Sequence, residues 1–446
     1  MLLIAATNDA KIPIFKFNVQ GVTLVSSSGT PVPLLTTPQL VELGSISGVA
    51  RPLVATDIPE GTYTSVQLTY GPSTFVVIDR SGGAGTIEVG NYDIATKANQ
   101  PVTVNLPLST PLLIKGTAMG LLLDLNIPQS TTFTPYLAGS SNPAPGGGQT
   151  TFNPVFSFLG ISPAASPATL QDGKVEDVHG QVTANSAGAL TIAADSGTTL
   201  NFTTSSSTIF AGANGAAPSP VNSFVDLDAA LQPDGSLLAT RVQTESTSQQ
   251  YNIVGQIVQY TQQLYLENMG REQQGPNLPN GTGFYSNNAQ LDPSSQFEIA
   301  WPNGTVPAGL PFTPSLNAGS ILPGQNLANP VDALQTSGNN IPVTNIVTLE
   351  PQTIDATVVA ASSVNGQTSY QVDLFPDDLI TLFGPGQQVV VYVTAATHTI
   401  ATSTLTTGSV ARFRAFSSMM EARFAWSRQR SRTASPVLRF TDRFER

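Results

Sequence analysis

The sequence has no cysteine and only two histidines, His179 and His398. The first absence excludes disulfide scaffolds, thiolate zinc sites, iron–sulfur clusters and cysteine nucleophiles. The second leaves little room for imidazole-based metal or acid–base chemistry. Charge is scarce as well: 11% of the 446 residues are charged, against about a quarter in ordinary soluble domains. Long apolar runs are missing. The nearest, 112–127, is broken by Lys115 and Asp124, so no membrane span is expected. The opening MLLIAA stops at Thr7-Asn8-Asp9 and lacks the basic flank and length of a secretory signal. Strand-like alternation is read from Ile12 onward.

What charge there is lies unevenly. Nine of the 18 basic residues fall within 412–446, opposed there by Glu421, Asp442 and Glu445, so this tail carries about +6 and residues 1–411 carry −17. A body of that sign repels phosphate backbones, which excludes nucleic acid as its partner. Its solubility rests on Ser, Thr, Asn, Gln and Gly, a texture shared with exported envelope proteins.

Period-two patterns with turn signals every 8–12 residues predict an all-β chain. Residues 12–25, 62–70, 73–80, 85–90, 101–106, 111–127 and a closing strand near 152–159 predict a β-sandwich over 1–162, with a hairpin across Ser81–Ala84 and a loop over 129–150. A Pro/Ala/Ser linker (163–172) leads to degenerate repeats sized for small β-barrels: 173–247, 248–351 with a long loop insertion at about 268–340, and 352–400. Residues 401–446 are set apart as a basic tail, disordered or helical. Three readings of it stay open: an amphipathic element using Phe413, Phe416, Phe424 and Trp426 on anionic membranes or nucleic acid, a solvated extension, or an out-of-frame end.

The phrases FKFNVQGVTLVSSSG (15–29), DIPEGTYTSVQLTY (57–70) and GLLLDLNI (120–127) resemble an uncharacterised family of bacterial lipoproteins and secreted proteins, a domain of unknown function of the 4382 type. VHGQVTAN with LQPDGSLLATRVQ, and GPGQQVVVYV, resemble a second uncharacterised family of small, often tandem β-barrels, of the 5666 type. The resemblance implies β modules at the cell envelope or outside the cell, and no reaction.

Candidate sites are few. Asp226 and Asp228 share a strand face and have the spacing to chelate calcium, but the plainer reading is a solvated face with Val225 and Leu227 inward. Asp373, Asp377 and Asp378 flank a Pro376 turn. His179 and His398 sit alone in strands, with no GxSxG motif, and are read as structural. Gly82-Gly83, Gly146–Gly148 and Gly281–Gly283 lack a phosphate-cradle context. Tyr251, Tyr260, Tyr265, Phe284, Tyr285, Phe297 and Trp301 offer either barrel core or sugar-stacking rings. No catalytic, cofactor-binding or metal-ligating residue is assigned and no cofactor is expected. The expectation is a non-enzymatic scaffold or binding protein whose partner is an extracellular glycan or envelope protein. A carboxylate-dependent glycan-active enzyme and a structural spacer are the alternatives.

Overall fold

The structure, a computed structural model, describes residues 1–7, 12–44, 46, 49–79, 88–94, 100–116, 119–133, 150–161, 174–232, 234–245, 251–261, 265–275, 285–301, 306–332, 343–364, 367–375, 380–381, 388–399, 405–419 and 437–445. It is all-β and falls into two compact units: Met1–Thr247 with Gln274–Phe284, and Ser248–Gln273 with Tyr285–Arg446.

The first unit begins with the expected sandwich. One sheet orders Phe156–Ile161, Gly120–Asn126, Leu2–Thr7 and Arg51–Val54. The other orders Glu88–Ile94, Ser73–Asp79, Ile14–Ser26, Gly61–Tyr70 and Val102–Ile114, with Pro31–Leu35 and Gln39–Glu42 also paired to Ile14–Ser26. Between the sheets Phe15 meets Phe75 and Phe152 edge-on at 5.8 and 5.7 Å. Leu121, Leu123 and Leu125 close the same core. Leu2–Thr7 is a strand in its own right, parallel to Gly120–Asn126; the sequence reading placed the first strand at Ile12. Its run of apolar residues lacks alternation because both faces of this sheet are buried. The hairpin near residue 80 is present as paired strands Ser73–Asp79 and Glu88–Ile94, while its Ser81–Ala84 turn and the 163–172 linker lie outside the described residues.

The second face of that sheet does not meet solvent. Leu3, Ala5, Ala50, Leu122 and Ile161 form one cluster with Val175, Val178, Val182, Ile192, Leu200, Phe202 and Leu227 of the following barrel. Ala50 N–H also donates to the Lys174 carbonyl at 2.9 Å. The sandwich and first barrel therefore share a core, and the boundary at 163–172 separates two parts that are not energetically independent. A fragment of residues 173–247 is expected to lack cooperative unfolding by circular dichroism, whereas 1–247 retains it; equal melting of both would refute the shared core.

Three barrels follow one plan. The first uses Lys174–Ser186, Ala189–Ala194, Thr199–Thr203, Phe224–Leu231 and Leu237–Thr244, with Ile209–Gly212 added beside the last. The second uses Tyr251–Thr261, Tyr265–Gln274, Tyr285–Ile299, Asn326–Val331 and Val343–Leu349; the third uses Gln352–Val364, Gln367–Leu374, Gln388–Thr399, Val410–Met419 and Val437–Glu445. In each, the third and fifth strands pair in parallel and the fourth returns antiparallel to the first, giving the spatial order 1-2-3-5-4. That is the five-stranded barrel of the oligonucleotide/oligosaccharide-binding type. The sequence repeats are thus real as topology.

Two expectations are corrected here. The 268–340 insertion is not merely a loop, because it supplies most of the second strand, the whole of the third and the whole of the fourth strand of the second barrel. The tail is not an appendage: it supplies two strands of the third barrel, so that module does not end at residue 400. Phe413 is fully buried among Ile354, Val358, Val372 and Val389. Arg412 forks onto Asp355 with contacts of 2.9 and 3.0 Å. Among the described residues, Phe413 of this segment turns into the core and Arg412 turns to the Asp355 carboxylate, so both are strand residues.

Candidate functional site

Asp177, His179, Asp195, Asp226, Asp228, Arg241 and Glu245 of the first barrel form one interacting group. The barrel's first strand carries an irregularity between Val175 and Val178, where Asp177 adopts φ 53°. This extra residue re-phases the strand, so Val175 and Val178 both enter the core while His179 takes the opposite face. Asp177, in the left-handed region a non-glycine residue seldom visits, is held from two sides. Its N–H donates to Asp228 Oδ1 at 3.2 Å, and Arg51 of the sandwich donates to both its carbonyl and its carboxylate. Arg51→Ala is expected to destabilise the first unit by about 1–3 kcal/mol in denaturant titrations, since it strands a part-buried charge.

His179 stands opposite Asp226 on the neighbouring strand and lies flat against the Phe224 ring, centroids 5.7 Å apart. Its Nδ1 is 2.6 Å from Asp195 Oδ2 and its Nε2 is 3.0 Å from Glu245 Oε2. The imidazole is 1% exposed. Asp195 reaches it because the turn 194–198 folds tightly over Gly180: a Cβ there would sit 2.5 Å from the Ala193 carbonyl oxygen. Gly180→Ala is accordingly expected to cost about 1–3 kcal/mol, because the obstructing atoms are backbone. The same Asp195 oxygen accepts the Gly275 N–H, and Thr198 of that turn accepts from Gln39 Nε2 at 3.0 Å.

Carboxylates outnumber cations in this group. Asp177, Asp195, Asp226, Asp228 and Glu245 meet Arg51, Arg241 and His179. Burial pushes Asp226 up to about 7, reinforced by Asp177 and opposed by Arg241 and His179. Burial also raises Asp228, with Glu176 and Asp177 adding to it, and raises Glu245 against the pull of His179. For His179 burial works against the charge, but Glu245 and Asp195 outweigh it and hold the imidazolium well above the usual histidine range. A neutral ring has one N–H and can donate to only one of its two carboxylates, whereas the doubly protonated form donates to both.

This changes the reading of Asp226 and Asp228. They do share a strand face, but Asp226 is buried at 4% and the face is a charge network, not a solvated one. His179 is a satisfied interior histidine. The side chain of His398, all of Asp377 and Asp378, and the three glycine runs lie outside the described residues. Asp373 accepts from Gln388 at 2.9 Å. Of the aromatic set, Tyr251, Phe297 and Trp301 pack into cores, Trp301 against Phe416 at 4.9 Å; the side chains of Tyr260, Tyr265, Phe284 and Tyr285 are not among those described. The sequence reading missed Asp195, Glu245, Arg241 and Arg51, whose meeting is set by strand pairing and by no spacing along the chain.

The outer faces of the second and third strands, by contrast, are open and uncharged in the first barrel. Ala189, Ala193, Thr199, Asn201 and Thr203 are exposed, and Thr191 Oγ1 donates to Asn201 Oδ1 at 2.9 Å. The corresponding face of the third barrel carries an exposed amide row, Gln371 to Gln388 at 2.6 Å and Gln388 to Asp373 at 2.9 Å.

Residues 179–243 match a family described as a domain of unknown function (DUF5666). The match opens on His179 and spans the barrel through its fifth strand, so the 5666-type resemblance holds for this module. No curated protein matches the chain. Among the described residues no helix is long and apolar enough to cross a membrane.

Proposed function

We propose that the chain is a non-enzymatic β protein of the cell envelope or extracellular space, a scaffold whose barrels bind a glycan or glycan-bearing partner. The observation that carries this reading is the 1-2-3-5-4 barrel repeated three times, a fold whose second and third strands form the ligand face for oligosaccharides and oligonucleotides. The −17 body disfavours the second ligand class. The hydroxyl and amide row of the first barrel, and the amide row of the third ending on the Asp373 carboxylate, offer the donor–acceptor pattern that sugar hydroxyls need. The envelope location draws on the uncharged polar texture of the body. A glycan array on the intact chain is expected to return a ligand whose affinity falls at least about tenfold in Asn201→Ala or Gln388→Ala, roughly the worth of one good hydrogen bond. No bound glycan, together with no partner in a pull-down from an envelope fraction, would overturn it. The enzyme alternative draws on Asp226, whose acid is held near 7 as a general acid's would be; glycan cleavage abolished by Asp226→Asn would establish that reading instead.

A further inference from the structure

We propose that His179 is a proton-dependent latch: while the ring carries both N–H groups it ties Glu245, at the end of the last strand, to Asp195 in the 194–198 turn, and loss of one proton frees that turn and the Gly275 backbone docked on it. Three geometric facts carry this. Both ring nitrogens face carboxylate oxygens, at 2.6 and 3.0 Å. The Phe224 ring stacks at 13° on the imidazole, so the ring has little freedom to rotate toward another partner. Asp195 Oδ2 is shared between His179 and Gly275 N–H, so what happens at the ring is felt by a residue 80 positions further on.

The charged neighbours come from every packed element. Asp195 approaches from the turn and Glu245 from the fifth strand. Asp226 lies opposite on the fourth strand, and behind it stand Arg241 and Asp177. Glu245 Oε1 has no hydrogen-bond partner, so its charge is balanced chiefly by the imidazolium. Deprotonation leaves two carboxylates sharing one N–H; the outer one, Asp195, is 20% exposed and is the one able to turn to water. The same turn contacts Gln39 and the Leu53 carbonyl through Thr198, which extends the latch to the sandwich.

Hydrogen exchange on the intact chain tests it, read between pH 6.5 and 9.5 and corrected for intrinsic rates. Peptides covering 194–198 and Gly275 are expected to lose at least about tenfold in protection beyond whatever is lost by those covering Phe17–Leu24, which separates local opening from the fall in global stability. His179→Gln, which cannot carry the charge, should make protection of the turn independent of pH. If that variant does not fold, Asp195→Asn decides: it keeps an acceptor for Gly275 but removes one counter-charge, and should lower the opening midpoint by about one pH unit or more. Constant protection of the turn in the parent chain, or an unshifted midpoint in Asp195→Asn, would overturn the latch.

Discussion

Ending the chain at Ser409 is expected to unfold the third barrel. The cut removes Val410–Met419 and Val437–Glu445, two of its five strands, and leaves Gln352–Val364 and Gln388–Thr399 each with a bare edge. It also removes Phe413 from the core, Arg412 from Asp355 and Phe416 from its tilted contact with Trp301. In denaturant titrations the truncated chain should lose the transition of this barrel and become prone to aggregate. The milder Phe413→Ala should cost about 3–5 kcal/mol, a large share of what holds an ordinary domain together. A truncated chain with the unfolding profile of the intact one would place the tail outside the fold after all.

Stability of the first unit should fall as pH rises from 5 to 8.5, the reverse of ordinary acid denaturation. Burial raises Asp124 to about 6 and Asp226 to about 7, and it also raises Asp228 and Glu245. For each carboxyl the unfolded chain ionises first, so stability is lost between the ordinary carboxylate range and the raised folded value. His179, raised in the folded state, contributes stability below its ordinary 6.5 and loses it as pH climbs through the higher folded value. All five act in one sense: the folded unit holds more protons than the unfolded chain across this window, so stability declines with pH. Asp124 alone, sitting between strands with Oδ1 unpaired, accounts for about 3 kcal/mol at pH 8. Asp124→Asn is expected to raise Tm at pH 8.5 and to change it little at pH 4. A Tm of the first unit that rises with pH would contradict the network as drawn.

Fold class was legible because period-two patterning and turn residues are local. The first barrel's strands lie where VHGQV, Leu190–Ile192, Leu200–Phe202, FVDLDAA and LLATRVQ place them. What the sequence hid has physical reasons. Leu2–Thr7 shows no alternation because it is buried on both faces. The strands within 268–340 are diluted by Asn, Pro and Gly, which read as loop. The tail's Arg and Phe content differs from the other barrels although its strands close the same topology. The charge network was hidden for another reason: His179, Asp195 and Glu245 are 16 and 66 residues apart along the chain, and only strand pairing and the Gly180 close approach bring them together.

The protonation state of His179 decides whether the buried network holds as described. The chain has two histidines, so His398→Gln leaves a single imidazole, and its nitrogen resonances can be followed in the intact protein without ambiguity. At pH 7, where an ordinary imidazole is mostly neutral, two ring N–H signals are predicted, the state in which Asp195 and Glu245 both accept from the ring. A single N–H with a neutral-ring nitrogen shift at that pH would contradict the buried network and the latch built on it.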